Sequence, residues 1–308
     1  VRALVTGAAG FIGAQVVRQL IHDGWDVVAL VRPRTRMDRL AEVGSSFQRV
    51  ECDLADTAKL TAELRAAPPE LCLHLAWYVA PDVHEAAANF DCVTHGTSLL
   101  RMLDAIGCPR SVFVGTYLEY DLALGDLTEE TPLRPQNLYA ACKHALHTMA
   151  ESYCRMRGRS FVWARLFNNY GPGEYDGPLV SHIIRRLLDG EPCALTSGEH
   201  HRDYLHVEDT ARALCALARS SFEGAVNVSS GEEVSIATIA RTIGELTGRS
   251  DLLRFGAYPA AAHHAARIRG DVTRLRQAVG FQPRYSLRDG LAQTVAWYQA
   301  SRPSAATP

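Results

Sequence analysis

A chain of 308 residues, 47% of them hydrophobic and 21% charged, has enough apolar side chain for one large core or two medium lobes, which excludes a disordered chain outside the closing stretch RPSAATP. The formal net charge is −2 and no Lys/Arg run exceeds two consecutive residues, so a nucleic-acid or membrane surface built on positive charge is excluded, while small anionic ligands are not. The apolar stretches fall far short of the ~20 residues that cross a bilayer, and the chain opens on a strand pattern, VRALVTG, with no basic and apolar leader before it, so a cytoplasmic location is expected.

In chain order, short apolar runs that read as strands (ALVTG, DVVALV, FQRVECD, LCLHLA, SVFVGT and FVWARLF) alternate with amphipathic stretches of helix length, IGAQVVRQLIHDG, NFDCVTHGTSLLRMLDAIG and YAACKHALHTMAESYCRMRG. That alternation predicts an α/β fold whose first part, residues 1–166, is a doubly wound parallel sheet with right-handed crossovers. After about residue 170 the rhythm changes to loops marked by Gly and Pro, helices such as LVSHIIRRLLDG and SIATIARTIGELTG, and scattered strands such as AVNVS. This predicts a smaller C-terminal lobe over 167–308, interleaved with the first part because a portion of 200–230 returns to the main sheet. The stretch YPAAAHHAA reads as a surface loop, with a mobile lid as the alternative. The eight cysteines stand singly, without CxxC or paired-histidine spacing, so buried thiols are expected and neither a metal site nor a disulfide framework is.

TGAAGFIGAQVVRQL sets Gly7, Gly10 and Gly13 between the first strand and the first helix. A backbone can turn sharply there, approach a pyrophosphate and offer it the amides of Phe11, Ile12 and Gly13 at the helix start. At the head of a strand–helix–strand series this spacing predicts a dinucleotide site and a Rossmann sheet to carry it. A site that prefers NAD usually has a carboxylate at the end of the second strand to hold the ribose 2′-hydroxyl. Here that place reads Val31-Arg32-Pro33-Arg34-Thr35-Arg36, and Asp26 lies at the other end of the strand. The Arg32 guanidinium suits a 2′-phosphate, so NADP(H) is the expected cofactor with NAD as the alternative; a solvated arginine loop is the other account of the run. Asp53 in ECDLAD reads either as an adenine contact or as a surface turn. Leu54 beside it and Leu75 in LCLHLA are expected to line the cofactor from the same edge.

Lysine occurs only at Lys59 and Lys143 among 32 Lys and Arg residues, so Lys143 needs a reason. Tyr139 and Lys143 in LYAACKHAL are four apart on a helix and share a face. An ammonium beside a phenol favours the phenolate, lowers the tyrosine pKa towards the working range and also holds a nicotinamide ribose. With 11 tyrosines and two lysines in the chain, this spacing arises by chance well under once. Thr116 ends a predicted strand 23 residues before Tyr139, at the edge where open α/β sheets bind ligands, and its hydroxyl reaches the same carbonyl oxygen.

The order and spacing of TGAAGFIG, Thr116, Tyr139 and Lys143 resemble the short-chain dehydrogenase/reductase superfamily in its extended form. LCLHLA, RLFNNYGPGE, HRDYLHVEDTARAL, AVNVSSG and the closing GFQPRYSLRDGLAQTVAWY extend the resemblance over nearly the whole chain, to nucleotide-sugar epimerases, dehydratases and reductases. The resemblance implies Thr116, Tyr139 and Lys143 as catalytic residues and a nucleotide-diphosphate sugar as substrate. It places Asn168 in LFNNYGP and Arg202 in HRDYLHV on the diphosphate, with Arg269 or Arg267 of ARIRGD closing a clamp, and it implies a homodimer. For each arginine a surface ion pair is the plainer reading.

Members that eliminate water carry an Asp-Glu pair directly after the threonine; this chain has Tyr117 and Leu118 there. Glu119 is displaced by one, and a strand would send it to the face opposite Leu118, leaving an acid/base role open. GTYLEYD resembles a segment of deoxysugar 4-ketoreductases. The expectation is therefore NADPH-dependent reduction of a nucleotide-linked 4-keto-6-deoxyhexose. The alternatives are an NAD-dependent 4-epimerase, a dehydratase or decarboxylase, and a non-catalytic NADP-binding sensor or scaffold.

Overall fold

The computed structural model describes residues 1–259 and 265–302, so the centre of the Ala/His-rich loop and most of the RPSAATP tail lie outside the described residues. The first part runs β1 (Arg2–Thr6), α1 (Phe11–His22), β2 (Asp26–Val31), β3 (Gln48–Glu51), α2 (Thr57–Arg65), β4 (Leu71–His74), α3 (Ala88–Ala105), β5 (Arg110–Thr116), β6 (Asp126–Leu127), α4 (Leu138–Arg157) and β7 (Ser160–Leu166). The rest comprises β8 (Asn168–Tyr170), α5 (Leu179–Leu188), β9 (Cys193–Ala194), β10 (His201–His206), α6 (Val207–Arg219), β11 (Gly224–Val228), β12 (Glu233–Ser235), α7 (Ile236–Thr247), β13 (Leu253–Arg254), β14 (Arg267–Gly270), α8 (Thr273–Val279) and α9 (Leu287–Ala300).

Seven strands pair in parallel in the order β11-β7-β5-β4-β1-β2-β3, the doubly wound Rossmann sheet that the alternation predicts. The order reverses between β1 and β4, and the crevice at that switch point, at the carboxyl ends of the strands, is where such sheets take ligands. Both faces are covered, which is why the central strands read as unbroken apolar runs. Val16, Val17 and Leu20 of α1 pack with Leu214 and Leu217 of α6 on one face. Leu60 and Leu64 of α2, Leu99 and Leu103 of α3, and Leu146 and Ala150 of α4 cover the other.

The smaller lobe has its own core, in which Ile183 and Leu187 of α5 meet Ile239 and Ile243 of α7 and Leu291 and Val295 of α9. A second sheet, β12-β10-β14-β6 with β8 on β10, carries this lobe. Tyr120, Leu127, Phe167 and Ile268 form a small cluster between the two parts.

The helix that bears Tyr139 and Lys143 has defined ends. Asn137 caps α4 by accepting from the Ala140 amide at 2.9 Å, and Gly158 ends it in the left-handed conformation at φ 62°. Its phase relative to β5 is therefore fixed. Among the described residues no helix is long and apolar enough to cross a membrane.

Candidate active site

The glycine loop is shaped by contacts that no side chain tolerates. Gly7 has φ +67°, and a Cβ there would stand 2.8 Å from the Ala76 nitrogen; a Cβ on Gly13 would overlap the Gly7 carbonyl oxygen. The Gly10 amide donates to that same oxygen at 2.9 Å, and Gly10 then caps α1, leaving the amides of Phe11, Ile12 and Gly13 at the open helix end. The cradle fits a pyrophosphate. Thr6 fastens it to the end of β4: its hydroxyl meets His74 Nδ1 at 2.7 Å and accepts from the Ala76 amide at 3.2 Å. Leu75 packs at this seam against the α1 side of the core, and Leu54 packs on the opposite side of the sheet.

Arg32 follows β2 directly and is exposed; among the described residues it has no ion-pair partner. Asp53 is exposed, and its Oδ1 accepts from the Ala55 amide at 2.9 Å, the surface-turn reading of that residue. Arg39, one of several arginines in this region with nothing in its spacing to mark it, spans two loops. It donates to the Gly173 carbonyl at 3.0 and 2.8 Å and to the Ala9 carbonyl of the glycine loop at 3.4 Å.

Thr116, Tyr139 and Lys143 come together at the carboxyl end of β5. Thr116 is its last residue and is buried, and its hydroxyl lies near enough to the Tyr139 phenol to favour the phenolate. Lys143 donates from Nζ to the Val114 carbonyl at 2.7 Å. The electrostatics differ from the expectation of a lowered tyrosine pKa. Burial pushes the Tyr139 phenol well above its usual range, and the nearby Thr116 hydroxyl only partly opposes this. Burial also brings Lys143 down to about 7, with Glu119 and Cys92 acting the other way. In the protein alone the ammonium faces Trp77 and a carbonyl rather than the phenolic oxygen, so it does not stabilise a phenolate.

Tyr117, Leu118 and Glu119 form a 3₁₀ turn instead of continuing the strand. Thr116 accepts from the Leu118 amide at 3.3 Å and the Glu119 carboxylate accepts from the Thr116 amide at 2.9 Å, which closes a capping box. The turn drives Glu119 into the core, where it is fully buried. Its oxygens accept from Trp163 Nε1 at 3.0 and 3.1 Å and from Arg165 Nε at 3.0 Å. All its acceptor positions are engaged by the fold, and it does not face the cleft. Tyr117 stacks on Phe167 with ring centroids 5.1 Å apart and donates to Asn168 Oδ1 at 3.3 Å; burial raises its phenol too.

Beside this trio lies a cleft of about 560 Å³ whose walls include Phe11, His84, Asn168, Glu174, Leu179 and Tyr204. Asn168 gives its amide to the Asp203 carbonyl at 2.9 Å. Arg202 donates to the His201 carbonyl at 2.7 Å and has no acidic partner among the described residues, which leaves its charge available. Glu174 is 7% exposed with Oε2 unpartnered, and burial raises its carboxyl to about 8. At neutral pH burial therefore favours its uncharged form in a cleft read as taking a diphosphate.

The expected clamp between Arg202 and Arg269 is not assembled. Arg202 stands opposite Ile268 in the β10–β14 register, so Arg267 and Arg269, which flank Ile268, point to the other face. Arg269 pairs with Asp126 at 2.8 Å, and Arg267 pairs with Glu233 at 2.7 Å and with Asp126 at 3.3 Å.

The overall fold and the sequence both have counterparts among known proteins. The chain is 32% identical over 315 residues to a dTDP-glucose 4,6-dehydratase of Streptomyces griseus, covering 97% of this chain and 94% of that one. The structure of DesIV, a dTDP-glucose 4,6-dehydratase from Streptomyces venezuelae solved with NAD, matches with a TM-score of 0.88 at 28% identity over 98% of each chain. The UDP-glucose 4-epimerase of Thermus thermophilus in complex with NAD matches with a TM-score of 0.85 at 25% identity, covering 98% of this chain and 100% of that one. The sequence pattern of the NAD dependent epimerase/dehydratase family matches residues 3–237, and the chain belongs to that family.

Proposed function

We propose that the protein reduces a nucleotide-linked 4-keto-6-deoxyhexose to the 4-hydroxy sugar with NADPH. The observation that carries this reading is the meeting of Thr116, Tyr139 and Lys143 at one strand end where Tyr117 and Leu118 replace an acid pair. A nicotinamide dinucleotide on the glycine loop supplies the hydride. Thr116 and Tyr139 hold the C4 oxygen by hydrogen bonds, and Tyr139, whose phenol burial keeps protonated, gives it the proton. Lys143 fixes the nicotinamide ribose, and Asn168 and Arg202 take the diphosphate. Arg269, paired with Asp126 on the face away from Arg202, is left out of this set.

Elimination of water needs a second acid and base. The Tyr117 phenol is raised by burial, Leu118 has no proton to move and Glu119 is held in the core, so the chemistry stays at one carbon. The test is to mix the enzyme with NADPH and a panel of nucleotide-linked 4-keto sugars while following reduced-nicotinamide absorbance. Stoichiometric NADPH consumption is expected. Release of water from an ordinary nucleotide hexose, or of carbon dioxide from a nucleotide-linked hexuronic acid, would overturn the reading.

The relatives named above are dehydratases and an epimerase, so the reductase direction rests on this chain's own residues. The 4-epimerase is the second reading, favoured by the likeness to an epimerase that binds NAD; conversion of a nucleotide hexose to its 4-epimer without net cofactor turnover would establish it. The choice of NADP(H) rests on Arg32. NADPH is expected to bind roughly tenfold more tightly than NADH, about 1.4 kcal/mol for a charge-assisted phosphate contact, and Arg32→Asp to narrow or reverse that preference. Equal affinities in a fluorescence titration of the wild type would return the site to NAD. The homodimer belongs to the same reading, with exposed Phe90 on α3 and Met149 and Met156 on α4 at its interface.

A further inference from the structure

The Lys143 side chain is buried, and what its charge rests on is an aromatic ring. Nζ lies 3.8 Å from the centroid of the Trp77 ring and 5.9 Å from that of Tyr139. Trp77 is itself pinned. Its Nε1 donates to Asn89 Oδ1 at 2.8 Å, and Asn89, fully buried on α3, gives its amide to the Val83 and Ala86 carbonyls at 2.6 and 2.9 Å. The Trp77 ring also meets the Tyr139 ring edge-on, at 6.1 Å and 83°.

The ammonium makes one hydrogen bond, to the Val114 carbonyl, and a single acceptor does not replace the water lost on burial. The groups around it offer no free anion. Glu119 is engaged by Arg165, burial pushes the Cys92 thiol up, His74 at the end of β4 is pushed down to about 3, and the Tyr139 phenol keeps its proton. Beyond the field of Glu119, the face of the indole is the electron-rich surface in direct contact with the ammonium, and such a face attracts a cation most where water is scarce.

We propose that Trp77 is a positioning residue for Lys143: its indole face, locked by Asn89, holds the ammonium in place on the Tyr139 side of the site and favours its charged form against the cost of burial. The hold of ring on lysine is independent of the reaction; only its consequence for turnover rests on the reading above.

The scarcity of lysine makes the test direct. Lysine labelled with ¹³C at Cε gives two titrating signals, from Lys59 and Lys143, and Lys59→Arg assigns them. Lys143 is expected to titrate near neutrality in the otherwise wild-type protein. Trp77→Leu, which keeps an apolar filling but has no ring face, is expected to lower the midpoint by about one pH unit, and Trp77→Phe by less. A midpoint that stays in place or rises in the Phe variant would overturn the proposal, and that variant decides alone where the Leu variant does not fold. In the assay, the alkaline limb of turnover is expected to shift in the same order. Midpoints that move while this limb stays still would support the ring's hold on the lysine and remove Lys143 from the proposed reaction.

Discussion

Tyr139→Phe is expected to lower turnover on the order of 10²-fold or more while leaving cofactor affinity nearly unchanged, because on the proposed reading it deletes the group that gives the proton to the sugar oxygen. The aromatic contacts survive: Trp77 and His84 meet the Tyr139 ring edge-on at 6.1 and 6.0 Å, and phenylalanine fills the same space. The loss therefore falls on the chemical step, and single-turnover absorbance of the reduced nicotinamide separates it from binding. Lys143→Arg is expected to be nearly as damaging. The pocket for Nζ ends on a ring face and one carbonyl, and a wide guanidinium does not fit where a compact ammonium does. Raising the pH through about 7 discharges Lys143 in the free protein, so cofactor binding is expected to weaken on that side of neutrality. Near-normal turnover in the Phe variant would remove Tyr139 as the acid.

The sequence makes the main sheet and the trio legible for different reasons. Strands buried on both faces leave unbroken apolar runs, and all six of those expected in the first half form. Tyr139 and Lys143 stand out because helix geometry converts a spacing of four into a shared face and because lysine is rare in this chain. The helix α2 carries a weaker signal; TAKLTAELR buries only Leu60 and Leu64 and is polar elsewhere. What sequence does not carry is contact across distance. Trp77 reaches Lys143 across 66 positions, and Arg39 reaches Gly173 across 134. The clamp arginines mislead because residue type was legible and register was not: a one-residue offset on β14 sends Arg269 to the face away from Arg202. Glu119 misleads through local structure: a continued strand would have set it on the face opposite Thr116 and Leu118 and left its role open, whereas a capping box turns it into the core.

That inward turn makes a prediction that separates structure from chemistry. Arg165 is 2% exposed and Glu119 fully buried, and the cation also donates to the Tyr120 hydroxyl, which in turn donates to Asn227 Oδ1 at 2.8 Å. Arg165→Met leaves a buried carboxylate without its cation, and it is expected to cost on the order of 3–5 kcal/mol in urea unfolding. Adding Glu119→Gln is expected to recover part of that loss. A neutral amide needs no cation, and its carbonyl oxygen still accepts from the Thr116 amide and the Trp163 ring nitrogen. The Arg165→Met variant, assayed where it is folded, is also expected to lose turnover, since the carboxylate that fixes the Thr116 backbone is no longer held. The same Glu119→Gln substitution made alone tests the chemistry. If Glu119 moved protons, the variant would lose the reaction while staying folded. Held as it is by Trp163, Arg165 and the Thr116 amide, Glu119 is expected to betray its loss first in stability, and the Gln variant, assayed on the acid side of the Lys143 titration that loss of the Glu119 charge shifts down, to turn over in proportion to the fraction that remains folded.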